Sequence, residues 1–337
     1  MSLNLENTAA NAALPDTGEL LIREFTFDGG KENELLLFLK PECFLAENPA
    51  FTGRIIEMVL NRLKKHHAGV SGSLLLSGKR LEELGVMDRH YGFINTLSRN
   101  ASKIITGKES AEIQKSLEIT GMKEYRVLGG HEFLGEFKEF TEASLNTLWL
   151  GKKSVKLRSG FYVQKYAVNG KNIILINGFH PAQLGYFTDS SHRILVFLLH
   201  SDTDWKILKN DLAGNTFPEK AILSSIRGEL FSNSKEYGLP GVSIVNNCVH
   251  LSAGPFEALF EINNFLKDIK TARFGLSKTN MFKLMTKEKP DKAAVENCIK
   301  NPAARIKGEM MDLFTLTEDQ NSSAAIFNYV KHFGDNK

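Results

Sequence analysis

The sequence predicts a mixed α/β chain, and three observations lead there. Short apolar runs of strand length occur at Glu34–Leu39 (ELLLFL), Ser71–Leu76 and Arg193–His200 (RILVFLLH). Thr52–His67 carries Ile55, Ile56, Val59, Leu60 and Leu63 every three or four positions, the spacing of one helix face. Strand followed by helix then repeats from Ser71 to about Asn100.

In chain order, residues 1 to about 18 are rich in Asn, Ala, Thr and Gly and read as a mobile tail. The run at Glu34–Leu39 is a buried central strand stopped by Lys40-Pro41, because proline cannot continue a strand ladder. Thr52 is placed to cap the helix that follows. After Ser71–Leu76, the segment from Lys79 to about Asn100 reads as helix interrupted near Gly85 and Gly92. From about Ala101 the texture changes. Two helical stretches, Ser110–Leu117 and Glu132–Leu148, precede FYVQKYAVNGKNIILING, where Asn169-Gly170 between alternating runs signals a hairpin. Arg193–His200 is the next buried strand, and Asp202 is placed to cap a helix through Trp205 and Leu208 to Leu212, ended by Gly214. Val245–Val249 reads as a short extended segment, followed by an amphipathic helix over Gly254–Leu266. Beyond Lys270 the pattern is mostly helical.

Composition narrows the class. Hydrophobic residues make up 42% and charged residues 24% of the 337, as in an ordinary globular protein. The net charge of +3 gives no bulk electrostatic argument for nucleic acid or membrane, so neither partner is expected, although a local basic pocket remains compatible. Cys43, Cys248 and Cys298 are widely spaced and suggest neither a disulfide framework nor a CxxC metal site, which fits a reducing cytoplasm. No apolar run approaches the roughly 18 to 20 residues that span a bilayer.

The stretches AGNTFPEKAILSSIRGEL and NNCVHLSAGPFEALFEINNFL collect Thr216, Arg227, Asn247, His250, Ser252 and Glu261 beside apolar segments. Taken singly, each has a structural explanation. Arg227 suits a surface ion pair, Thr216 a turn before Pro218, Asn247 a loop hydrogen bond, Glu261 a solvated helix face and Lys40 an exposed strand end. Together they suggest chemistry. An imidazole becomes a nucleophile toward phosphorus when an acceptor holds one ring nitrogen and fixes the tautomer.

The order and spacing of FLKPEC, GNTFP, SSIRGEL, NNCVHLSAG and FEIN resemble the nucleoside diphosphate kinase family. In that pattern a strand ending in KPD precedes a G-x-T-N-P loop, TIRGDF, N-x-x-H-G-S-D-S and a helix bearing Glu. The resemblance implies a ferredoxin-like antiparallel sheet sandwich and transfer of the γ-phosphate of ATP or another NTP to an NDP. His250 would be the phosphorylated nucleophile, Glu261 would orient its ring, and Ser252 would complete that support. Lys40, Thr216 and Arg227 would hold the nucleotide phosphates in a solvated cleft, Asn247 the ribose, and Ile244 one face of the base. Mg2+ would arrive with the nucleotide.

Some positions depart from the pattern. Asn210 stands where the family has a second phosphate-binding Arg, with Lys206 and Lys209 nearby to supply charge, and Ala253 replaces a carboxylate. Tyr91 is the candidate aromatic lid, and Phe179 or Phe187 the substitute for the missing base-stacking Phe. The implied organisation is a tail and lead-in at 1–30, a kinase-like domain at 31–270 with an insertion at about 101–181, and a helical extension at 271–337. A homo-oligomer, with a dimer favoured, is expected. Two further readings accompany this one: a nucleotide-binding scaffold or sensor with the same fold, and phosphotransfer to a different acceptor.

Overall fold

The computed structural model describes residues 9–27, 30–158, 160–287 and 291–334. Residues 1–8, 28 and 29 of the expected tail and lead-in, 159 of the expected insertion, and 288–290 and 335–337 of the expected extension lie outside the described residues. The strands are β1 (Glu19–Arg23), β2 (Asn33–Leu39), β3 (Gly69–Ser77), β4 (Arg126–Gly129), β5 (Val155–Arg158), β6 (Phe161–Val168), β7 (Lys171–Ile176), β8 (Arg193–Ser201), β9 (Val249–Leu251), β10 (Ala303–Ile306) and β11 (Glu309–Asp312). They divide between two compact units, Met1–Arg80 with Ser190–Lys337, and Leu81–Asp189.

In the first unit one sheet runs in the order β1-β3-β8-β2-β9 with every neighbouring pair antiparallel. The interior position of β2, between β8 and β9, explains its sequence. Leu35 to Leu39 are all fully buried, because both faces of the sheet are covered. On one face Leu35, Leu37 and Leu39 meet Ile55, Ile56, Val59 and Leu63 of helix α1 (Pro49–Lys65). Burying each such side chain is worth about 1.5 to 3 kcal/mol, which is why α1 presents an apolar stripe. On the other face Phe38 packs against Phe265, 5.5 Å between ring centroids. Helix α2 (Ile226–Ser232) lies between β8 and the edge strand β9, and helix α3 (Pro255–Leu266) follows β9. Phe256 and Leu259 of α3 join a satellite core with Met281, Val295, Leu313 and Tyr329, so the C-terminal region through helix α4 (Ser322–Phe333) is part of this unit.

The second unit leaves the chain after β3 and returns before β8. These strands pair with each other from Gly69↔His200 to Ser77↔Arg193, so the exit and re-entry points are already held together and the inserted length costs little closure entropy. Its sheet runs β4-β7-β6-β5, with β4 and β7 parallel and the other pairs antiparallel. The Asn169-Gly170 turn joins β6 and β7 with both residues at positive φ, 49° and 73°, as a two-residue hairpin requires.

Several boundaries differ from the sequence reading. Helix α1 starts at Pro49, capped by Asn48, while Thr52 is buried and donates from Oγ1 to the Cys43 carbonyl at 2.9 Å. The helical stretch at Glu132–Leu148 is two helices, Gly130–Glu136 and Glu142–Leu150, because Thr141 caps a new start by accepting from the Ser144 amide at 3.2 Å. Asp204, not Asp202, caps the helix at Trp205, accepting from the Lys206 amide at 2.9 Å; Asp202 binds Lys31 instead at 2.5 Å. That helix widens to π geometry over Leu208–Ala213, and Gly214 ends it at φ +94°. The extended segment expected at Val245–Val249 begins only at Val249. Ala9 is fully buried in the main core, so the stretch read as a tail touches that core. The region beyond Lys270 contains the β10–β11 hairpin, whose Lys307-Gly308 turn also has positive φ at both residues.

Candidate functional site

Strand alternation places the central residues. Phe38 and Lys40 are two apart and share a face at the end of β2. Strand β9 pairs with β2 so that His250 lies opposite Phe38, and the imidazole stacks on the Phe38 ring at 4.6 Å and 21°. Ser252, two residues beyond His250, is locked to the same strand: its Oγ accepts from the Leu36 amide at 3.1 Å, and its amide donates to the Leu36 carbonyl at 3.1 Å. The indole Nε1 of Trp205 donates to the Ser252 carbonyl at 3.1 Å.

Helix α3 then delivers Glu261 onto this pair. Its Oε1 lies 2.7 Å from Nε2 of His250, and its Oε2 accepts from the Ser252 hydroxyl at 2.5 Å. His250 keeps 22% side-chain exposure while Glu261 keeps 1%. A carboxylate acceptor requires the proton on Nε2, which makes Nδ1 the nitrogen that carries the lone pair. Burial holds the imidazole pKa down to about 3, helped by the positive charges of Lys40 and Arg227. The ring is therefore neutral at physiological pH.

The surrounding polar groups form a second layer. Lys40 Nζ donates to Asn247 Oδ1 at 2.6 Å, and burial lowers the lysine pKa. The Asn247 amide donates in turn to the carbonyls of Thr216 and Ile244, both at 3.4 Å, so one buried side chain ties three loops together. The side chains of Thr216 and Ile244 themselves are exposed. Cys248 sits at φ +66°, a conformation that costs a non-glycine residue of order 1 kcal/mol or more. The buried carboxylate of Glu42 holds it there, accepting from the Cys248 amide at 2.8 Å, while Cys43 Sγ donates to its carbonyl at 3.4 Å.

Arg227 differs from the solvated cleft residue that was expected. It is 8% exposed, donates to the Gly214 carbonyl, and donates to the Val249 carbonyl at 2.8 Å. Its Nε has no hydrogen-bond partner among the described residues, and burial pushes its pKa down to about 10. Asn210 and Lys206 are exposed, and Lys209 is bound by Glu318 at 2.5 Å and Asp319 at 2.7 Å.

The structure thus brings together His250, Glu261, Ser252, Lys40, Asn247 and Arg227, with Thr216 and Ile244 reached through backbone carbonyls. Tyr91, Phe179 and Phe187 belong to the second unit. There the Tyr91 ring lies 5.7 Å from His180 and 6.0 Å from Phe187, and Phe179 packs 5.8 Å from Trp149. Four residues near the site escaped the sequence reading: Phe38, Glu42, Trp205 and Glu257. Glu257 lies one helical turn before Glu261 and accepts from the Ala253 amide at 2.9 Å; burial and the neighbouring Glu261 raise its pKa. The i, i+4 relation between the two glutamates was the available signal.

Comparison with protein families finds no matching family, and comparison with curated proteins finds no match. Among solved structures, an apo nucleoside diphosphate kinase from Encephalitozoon cuniculi is 14% identical with a TM-score of 0.34, covering 70% of this chain and 90% of that one. An NDP kinase from Pyrobaculum aerophilum is 18% identical with a TM-score of 0.34, covering 70% of this chain and 96% of that one. No helix among the described residues is long and apolar enough to cross a membrane.

Proposed function

We propose that this chain is a phosphotransferase of the nucleoside diphosphate kinase type, carrying phosphate on His250 between an NTP and an NDP. The carrying observation is the contact of His250 Nε2 with Glu261, itself bound by Ser252, which leaves Nδ1 as the nucleophilic nitrogen. In the first half-reaction the Nδ1 lone pair attacks the γ-phosphorus, the bond to the β,γ-bridging oxygen breaks, and NDP leaves. The Nε2 proton stays in place, and the Glu261 carboxylate stabilises the positive charge that develops on the ring. In the second, a terminal phosphate oxygen of another NDP attacks, and the N–P bond breaks. Lys40 supplies charge to the transferring phosphoryl group, and Mg2+ enters as part of the nucleotide substrate.

The antiparallel order β3-β8-β2-β9 supports reading the core as a ferredoxin-like sandwich. The helical segment between β2 and β3, and that between β8 and β9, fit the same reading. On this reading Leu81–Asp189 is an insertion into the kinase-like domain, and a homodimer is the expected assembly. Sedimentation as a compact hexamer would contradict the dimer.

Three observations favour a nucleotide-binding scaffold without turnover. Arg227 spends both terminal nitrogens on backbone carbonyls, and Asn210 and Ala253 replace charged family residues. The two readings separate on incubation with γ-labelled ATP and Mg2+. The phosphotransferase acquires acid-labile, alkali-stable label that ADP or GDP removes, whereas the scaffold binds nucleotide and never labels.

A further inference from the structure

The small net charge conceals a strong local imbalance in the second unit. From Ala143 to Thr188 the chain contains Lys152, Lys153, Lys156, Arg158, Lys165 and Lys171 and no Asp or Glu. Arg158 and Lys171 reach carboxylates from elsewhere in the unit, Glu112 at 3.4 Å and Glu136 at 3.1 Å. Lys152, Lys153, Lys156 and Lys165 are exposed, and none of the four is in an ion pair among the described residues.

The lysines are also gathered. Lys152, Lys153 and Lys165 line one cleft of about 330 Å³ between the end of the Gly107–Ser116 helix and the β5–β6 pair, with Leu117, Val155 and Val163 as its apolar wall. Lys152 Nζ donates to the Lys165 carbonyl at 3.2 Å, and Lys165 Nζ donates to the Leu117 carbonyl at 3.3 Å, so both ammonium groups are anchored to backbone at this cleft, whose one acidic lining residue is Glu118. The edge strand β5 carries two further cations, Lys156 and Arg158, on either side of a register shift in its pairing with β6. Rings lie under these cations: Tyr166 is 4.4 Å from Lys152 Nζ, and Phe161 and Phe93 are 4.9 and 5.7 Å from Arg158 Cζ. Phe93 is 48% exposed.

Lysine on an edge strand also guards against sheet-to-sheet pairing. That role accounts for Lys156 and Arg158. It does not account for three lysines, in no ion pair among the described residues, lining one cleft beside the edge, where a bound anion would lower their mutual repulsion.

We propose that this face of the second unit binds the backbone of single-stranded nucleic acid, with phosphates in the Lys152–Lys153–Lys165 cleft and along β5, and a base on Phe93. Cleft lysines without a carboxylate partner among the described residues, and an exposed ring next to Arg158 of the edge strand, match a ligand that alternates charge and aromatic faces. The test is fluorescence anisotropy of a 5′-fluorescein oligouridylate of 12 nucleotides with the full chain at 50 mM salt. Binding is expected, stronger than to a duplex of the same length and unchanged by saturating Mg-ADP, which separates this face from the proposed nucleotide pocket. Lys152→Ala/Lys153→Ala/Lys165→Ala should weaken it at least tenfold and flatten the slope of log K against log salt by about 2, at roughly 0.7 per phosphate contact. The single reversal Lys153→Glu, at an exposed position, should weaken it as well. No binding, equal affinity in the triple variant and in Lys153→Glu, equal affinity for duplex, displacement by Mg-ADP, or capture by phosphatidylserine vesicles in place of the oligonucleotide would each overturn the proposal.

Discussion

The carboxylate of Glu261 lies 2.7 Å from Nε2 of His250, and the helix that carries it buries all but 1% of its side chain. A charged acceptor so placed fixes both the tautomer and the ring orientation of a histidine that remains partly open. Replacing Glu261 with Gln keeps an oxygen acceptor and removes the charge. A charge-assisted hydrogen bond is worth about 1.5 to 3 kcal/mol, so phosphorylation should slow by roughly 10- to 100-fold without stopping. Single-turnover labelling measures this, and an unchanged rate would show that the carboxylate does not assist the ring.

Arg227 should matter for folding as much as for nucleotide. Arg227→Ala leaves the Gly214 and Val249 carbonyls without their donor in a buried setting, at a cost of about 1 to 3 kcal/mol each. Urea unfolding should register a large loss of stability. Lys40→Ala, at a partly exposed strand end, should weaken ADP binding with a smaller effect on the unfolding midpoint. If Arg227→Ala is as stable as wild type, the guanidinium is not holding these loops.

His250 makes a signed contribution to stability as pH changes. Its folded pKa, about 3, lies below the ordinary value of 6.5, so the unfolded chain binds the proton more readily between those limits. Stability from this group is complete above pH 6.5 and is lost as pH falls toward 3, by at most about 1.4 kcal/mol per pH unit. His250→Asn should show a shallower fall between pH 6 and 4 than wild type. Parallel curves would mean that the imidazole is not held neutral by its surroundings.

All three cysteines are buried, and burial raises the thiol pKa of Cys43 well above the ordinary range and that of Cys298 to about 12. Buried, protonated thiols are poor nucleophiles. Native protein should therefore react negligibly with a disulfide reagent at pH 8, and all three thiols should react in guanidinium. Rapid reaction of the native protein would contradict this packing.

What was legible in the sequence follows from where the information resides. Strands β2, β3 and β8 announce themselves because burial on both faces demands continuous apolar runs, and α1 because its stripe faces one core. The relation of His250 to Glu261 is carried by one strand and the helix directly after it, so sequence spacing suffices. Arg227 looked solvated because its partners are carbonyls, at Gly214 and Val249, which leave no trace in side-chain pattern. Phe38 and Trp205 were missed for a related reason: their site contacts arise from cross-strand register and from a long-range donor to the Ser252 carbonyl. The position of Cys248 at positive φ depends on Glu42, 206 residues away in sequence. The β10–β11 hairpin carries too few apolar residues for its alternation to stand out among charged neighbours.

The central claim is that phosphate is carried on His250. The direct measurement is phosphoenzyme formation from γ-labelled ATP and Mg2+ by wild type and by His250→Ala, with ADP binding and the unfolding midpoint recorded for both. The account predicts acid-labile, alkali-stable label on wild type, none on His250→Ala, and retained folding and nucleotide binding in the variant. Equal labelling of the two proteins, or nucleotide binding by wild type with no label at all, would contradict it.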